Sequence, residues 1–232
     1  MAARGVDARD RSPLRLPAGR SAEILHAVLR TALTGLMLLA STTALADDCL
    51  SKLSRGWDSL DFAAKRARID HLGGRGIRCV FDATAATPPP GPGFFAQEDG
   101  RVHPFYGRNG FVAFSRFVKA FFVLGNETYG YNDSFIGRLT GSAGFFLLKQ
   151  EDAGLIFDYR DDFDSLIPAR ELAGLRGARW KKPHDNGGNV LFGNLTDVMH
   201  GVNADVVVGE SLRMLSSGPR PEAYFILLRE PR

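Results

Sequence analysis

The chain lacks the local signatures that mark common enzymes. It contains no G-x-S-x-G, no H-E-x-x-H, no G-x-x-x-x-G-K-[ST] and no paired C-x-x-C. The familiar forms of nucleophile elbow, zinc helix, phosphate loop and dithiol centre are therefore excluded. Cysteine is scarce, with only Cys49 and Cys79, and no metal centre or cofactor is expected. Long apolar runs are also missing. The longest, "TALTGLMLL", begins at Thr31 and falls short of the roughly 20 residues that a membrane-spanning helix needs.

Charge is absent from Thr31 to Ala46, where Arg30 precedes an apolar core and Ala44-Leu45-Ala46 supplies a small-x-small cleavage pattern before Asp47. Residues 1–46 thus read as a secretory leader, and the acting protein is expected to be periplasmic or secreted, with a mature N-terminus at Asp47. A lipid anchor would need a small residue directly before the cysteine, where Asp48 stands, and no twin-arginine pair is present. The Ala-x-Ala leader and the Arg/Ala/Gly-rich composition suit a bacterial exported protein, in which the sequons at Asn126, Asn132 and Asn194 have no role.

Nor is there an excess of one charge beyond that leader. Six of the 29 basic and three of the 26 acidic residues precede Asp47, so the remaining 186 residues carry 23 of each. A neutral chain implies no nucleic-acid partner. In an oxidising compartment the two cysteines are expected to form one structural disulfide.

What is present divides the chain into four parts. After the leader, residues 47–82 place Leu50, Leu53, Trp57 and Leu60 at helical spacing, and Ser59 stands where it would cap a second helix ending before Gly73-Gly74. This reads as a disulfide-closed helical pair. Residues 83–93, "ATAATPPPGPG", read as a stiff connector. Residues 94–232 read as an α+β domain.

Within that domain, the stretch 111–124 is expected to be a helix, with Ser115, Arg116 and Lys119 as its polar stripe, although Phe and Val also favour sheet. Strands are expected at 134–140, 145–150 and 155–160, separated by turn compositions, making an antiparallel β-meander. Helices over 164–175 and 194–215 would cover its apolar face, though 204–209 also suits a strand. The run 223–228 reads as a closing strand.

Candidate chemistry is sparse. The acidic run "DYRDDFDS" reads as helix capping by Asp164 in preference to Ca²⁺ binding, because it lacks the glycine and distal glutamate of an EF-hand. The best polar constellation joins His184, Asp185 and Asn189 in a Gly-rich loop to Asp197 and His200, which would share a helix face at i, i+3, with Glu210 and Ser211 near in sequence. Thirteen phenylalanines between Phe94 and Phe163 favour a non-enzymatic protein that binds an envelope protein or an apolar small molecule. The alternative is a cell-envelope hydrolase using Asp197 and His200 with His184 or Glu210.

Overall fold

From His103 to Arg229 most side chains alternate between two buried faces, and this alternation decides the architecture. The computed structural model describes residues 48–231 apart from 111–114, 142, 152–153 and 184–191. Eight strands run in chain order: β1 (His103–Asn109), β2 (Arg116–Leu124), β3 (Glu127–Asp133), β4 (Phe145–Glu151), β5 (Gly154–Asp158), β6 (Leu195–Gly201), β7 (Val206–Leu215) and β8 (Gly218–Arg229). Each pairs antiparallel with the next, and β8 pairs back onto β1 with Phe105 opposite Arg229, so the sheet is a closed barrel.

The barrel overturns the α+β meander covered by helices. Two segments account for most of the difference. The stretch expected to be helical at 111–124 contains β2, whose Phe117, Phe121 and Val123 join the interior while Ala120, Phe122 and Leu124 pack outside. With both faces apolar, the two-residue period is hidden and a helical spacing can be picked out by chance. The stretch 194–215 is a hairpin of β6 and β7, and the β-branched run Val206–Val208 is fully buried.

The reverse error occurs at 134–140, which forms the short helix α4 (Phe135–Thr140). Ser134 caps it by accepting from the Gly137 N–H at 3.0 Å, and Gly141 ends it in the left-handed conformation at φ 72°. The strands at 145–151 and 154–158 agree with expectation, and 223–228 falls within β8.

Helices lie on the outside of the barrel. Helix α1 (48–54) is followed by α2 (Phe62–Asp70) and α3 (Gly73–Ala83). Asp61, and not Ser59, caps α2 through the Ala64 N–H at 2.8 Å. Gly73-Gly74 opens a third helix instead of ending the second. Leu53, Trp57, Ile69, Ile77 and Val80 from this segment pack against Tyr106, Val206, Val208, Ile226 and Leu228 on the outer wall of β1, β7 and β8. Cys49 and Cys79 are joined, with Cα atoms 6.1 Å apart, and tie α1 to α3. On the far side, α5 (Phe163–Leu166) and α6 (Ala169–Gly174), separated by Pro168, supply Phe163 and Leu172 to a second outer cluster on β2, β3 and β4.

One end of the barrel interior is filled with rings. Phe95, Phe105, Phe121, Phe146 and Phe157 pack with centroids 4.8 to 5.7 Å apart. Phe95 comes from outside the strands. The proline-rich segment passes close to β6, since a Cβ on Gly201 would lie 2.9 Å from the Pro88 carbonyl, and the chain then turns to place Phe95 among these rings. Arg229 holds this plug by donating to the Phe94 carbonyl at 2.7 Å, with its guanidinium 4.0 Å from the Phe94 ring centroid. An eight-stranded barrel has little interior room. Gly130 and Gly209 face inward and supply some of it: a Cβ would come within 2.3 Å of the Phe146 ring and 2.5 Å of the Phe225 ring respectively.

Candidate functional site

Toward the other end, at the end of β1 and the start of β2, the filling stops. A cavity of about 540 Å³ remains, walled by Phe117, Phe192, Leu195 and Phe225 and floored by Lys119 and Asp197. That volume falls within the range of small-molecule sites, which combine mostly apolar walls with a few converging polar groups.

Strand alternation brings the polar groups together. Lys119 points inward from β2 between Phe117 and Phe121; Asp197 points inward from β6 between Leu195 and Met199. The Lys119 ammonium donates to Asp197 Oδ2 at 3.0 Å and to the Tyr159 hydroxyl. Tyr159, just beyond β5, donates to Asp197 Oδ2 at 3.0 Å, and Ser211 on β7 donates to Asp197 Oδ1 at 2.6 Å. Asn132, at the end of β3, donates through Nδ2 to the Tyr159 oxygen at 3.3 Å and to the Gly144 carbonyl at 3.2 Å. Donors from β2, β7 and the segment after β5 thus converge on the one carboxylate of β6, and β3 joins the network through Tyr159.

The ion pair lies away from solvent, with 3% of the Lys119 side chain and 2% of the Asp197 side chain exposed. Removing two charges from water is costly unless each finds partners. Here the aromatic walls contribute as well as Asp197. The Lys119 nitrogen lies 4.7 Å from the Phe146 ring centroid, 5.0 Å from Phe225, 5.1 Å from Tyr159, 5.4 Å from Phe157 and 5.8 Å from Phe117. Burial pushes the ammonium below the ordinary lysine range, against the pull of Asp197. Burial also raises the Tyr159 phenol well above its usual value, and the adjacent Asp197 charge adds to this. Tyr159 is therefore a neutral hydroxyl donor at physiological pH.

The rim has a different character. Arg213 pairs with Glu222 at 3.0 Å and Arg116 with Asp70 at 2.9 Å. Phe135, the first residue of α4, borders the cavity with 73% of its surface exposed. An apolar ring standing in water at the mouth of an apolar cavity is a ready contact for a ligand that protrudes.

Of the described residues singled out from sequence, Asp197 and Ser211 are brought together and the others lie apart from them. Asp197 sits at the centre of the network. His200, three residues further along the same strand, faces the opposite way: its ring stacks on Phe81 of α3 at a centroid distance of 4.3 Å, and its Nδ1 lies 3.3 Å from the Phe81 carbonyl. Glu210 hydrogen-bonds to Tyr224 and so pushes that phenol up to about 12. It is one residue before the inward-facing Ser211 and belongs to the outer wall. His184, Asp185 and Asn189 lie outside the described residues. The acidic run is engaged locally, with Asp162 capping α5 and Asp158 held by Arg160 and Lys149.

Sequence spacing does not mark Lys119, Tyr159 and Asn132 as site residues. On a helical reading Lys119 falls in a polar stripe with Ser115 and Arg116. The available signal was a lysine in a run of phenylalanine and valine, which on a strand reading falls on the same face as Phe117 and Phe121. Compared with known proteins, the chain matches no family model, no curated protein and no solved structure.

Proposed function

We propose that the barrel binds a small organic molecule with a flat apolar body and one polar end, and that it does so outside the cytoplasm as a periplasmic or secreted protein. The observation that carries this reading is the cavity itself, with apolar walls leading down to the Lys119–Asp197–Tyr159 network. A barrel stabilised only by packing has no need of a charged pair at the end of an unfilled space. Support for the compartment comes from the Cys49–Cys79 disulfide, which suggests an oxidising environment. Among the described residues no helix is long and apolar enough to cross a membrane. Membrane barrels turn an apolar belt to lipid, whereas here much of the outer wall is occupied by the chain's own helices.

The hydrolase alternative requires His200 beside Asp197, and the two occupy opposite faces of β6. Uptake of an uncharged apolar fluorescent dye such as N-phenyl-1-naphthylamine tests the binding reading. Saturable uptake by the wild-type chain should be lost when Ala223, which lines the cavity, is changed to Trp in a variant that keeps its unfolding temperature. Equal uptake by the two proteins would place the dye elsewhere and remove the case for the cavity.

A further inference from the structure

We propose that the ligand taken up by the barrel carries an aldehyde or ketone and that Lys119 joins it covalently as an imine. This rests on the small-molecule reading above and names the chemistry of the ligand's polar end. The geometry points there for three reasons. Lys119 is the amine at the floor of the cavity, and its nitrogen faces the space between rings instead of bulk water. Asp197 Oδ2, at 3.0 Å, is placed to take a proton from that nitrogen and return it. The Tyr159 hydroxyl, in contact with both, can donate to an oxygen arriving at the same point.

A plain cation site would serve an anionic ligand poorly, because Asp197 already neutralises Lys119 and presents its own negative charge to the same place. A carbonyl is uncharged and suits a site that is neutral overall. Burial away from water also favours the unprotonated amine, which is the nucleophilic form.

The step balances without any further reactant. The ammonium passes one proton to Asp197, and the nitrogen lone pair attacks the carbonyl carbon, forming the C–N bond as the C=O π pair moves to oxygen. Asp197 returns its proton to that oxygen, takes one from nitrogen and delivers it again, so that the C–O bond breaks and water leaves. Of the three hydrogens on the ammonium, two end on water and one on the iminium nitrogen, and the iminium remains paired with the Asp197 carboxylate. The charge state of the site is the same before and after, which a low-dielectric pocket requires.

The test uses the full chain, benzaldehyde as the carbonyl probe and cyanoborohydride to fix any imine as a stable secondary amine, followed by peptide mass spectrometry. Lys119 should be labelled at least ten-fold faster than the exposed Lys52, and an excess of the apolar dye should suppress the Lys119 adduct alone. Asp197→Asn should slow Lys119 labelling ten-fold or more while leaving Lys52 unchanged, and His200→Gln, on the opposite face of β6 from Asp197, should retain fast labelling. Dye uptake with no preference for Lys119 would overturn the imine while leaving the binding reading in place; no dye uptake would remove the binding reading itself. Equal labelling of Lys119 in wild type and Asp197→Asn would overturn the role given to the carboxylate.

Discussion

The two halves of the barrel interior are built on the same strands by the same alternation, yet they are filled in opposite ways. At one end Phe95, Phe105, Phe121, Phe146 and Phe157 are fully buried in a single cluster of rings. At the other, Lys119, Asn132, Tyr159, Asp197 and Ser211 line an open cavity. Phe121 and Lys119 are two residues apart on β2, and Phe157 and Tyr159 are two apart at the end of β5, so the change of character takes place within one step of the pleat. The contrast separates two tasks: the ring-filled half closes and holds the barrel, and the polar half is free to be specified by something other than packing.

The largest expected effect lies in the packed half. Phe121→Ala removes a fully buried ring in contact with four others and should cost about 4 kcal/mol in denaturant unfolding. Ser211→Ala at the open end should cost only about 1 kcal/mol, because Asp197 keeps two other donors. Similar losses from both changes would break the distinction between the halves.

Next in size is the ion pair. Asp197→Asn leaves a buried ammonium without its counter-charge and should destabilise by about 3 kcal/mol, whereas Lys119→Met combined with Asp197→Asn should cost less than Asp197→Asn alone. Additive losses in the double variant would show that the two charges do not act as a pair.

A smaller effect uses the outside of the same wall as a reference. Burial by itself would raise the Asp158 carboxyl, but the Arg160 side chain and backbone N–H, with Lys149, outweigh it and bring it down to about 2 from the ordinary 3.8. The folded value lies below the unfolded one, so this stabilisation is complete above the unfolded value and disappears as pH falls from about 4 toward 2. It amounts to about 2 kcal/mol. Asp158→Asn should flatten the unfolding profile across that window. An unchanged acid slope would place the sensitivity in other carboxylates.

The smallest change in stability is expected at the rim. Phe135→Ser, at an exposed position, should alter unfolding by no more than about 0.5 kcal/mol while weakening dye uptake several-fold. Unchanged uptake would confine the binding surface to the cavity interior.

How much of this was legible in the sequence depended on whether one face of an element met water. The strands at 145–151 and 154–158 were readable because short apolar runs were bounded by turn compositions. β2 was not, because Phe117 and Phe121 face the interior while Phe122 packs under the outer helices. The strand expected at 134–140 is instead the helix α4, capped by Ser134, because the apolar letters of so short a run do not distinguish strand from helix. Asp197 was singled out for the wrong neighbour: on a helix it would have met His200, whereas on a strand it meets Ser211 across the β6–β7 pair and Lys119 across the barrel. The partners of a barrel site come from strands far apart in sequence, and no spacing rule links residues 119, 132, 159 and 197.

Closure by β8 also sets a timetable. β8 pairs with both β7 and β1, and the β1 contact joins Phe105 to Arg229 across 124 positions of chain. While the chain is being made, β1 and β7 therefore each keep an unpaired edge until residues 218–229 emerge, and the phenylalanine interior cannot be sealed before then. Distant pairings of this kind form slowly, and open edges invite pairing with other chains. The nascent molecule is thus most vulnerable to aggregation just before its last strand arrives, and slower synthesis of that strand would prolong the hazard without changing the finished protein.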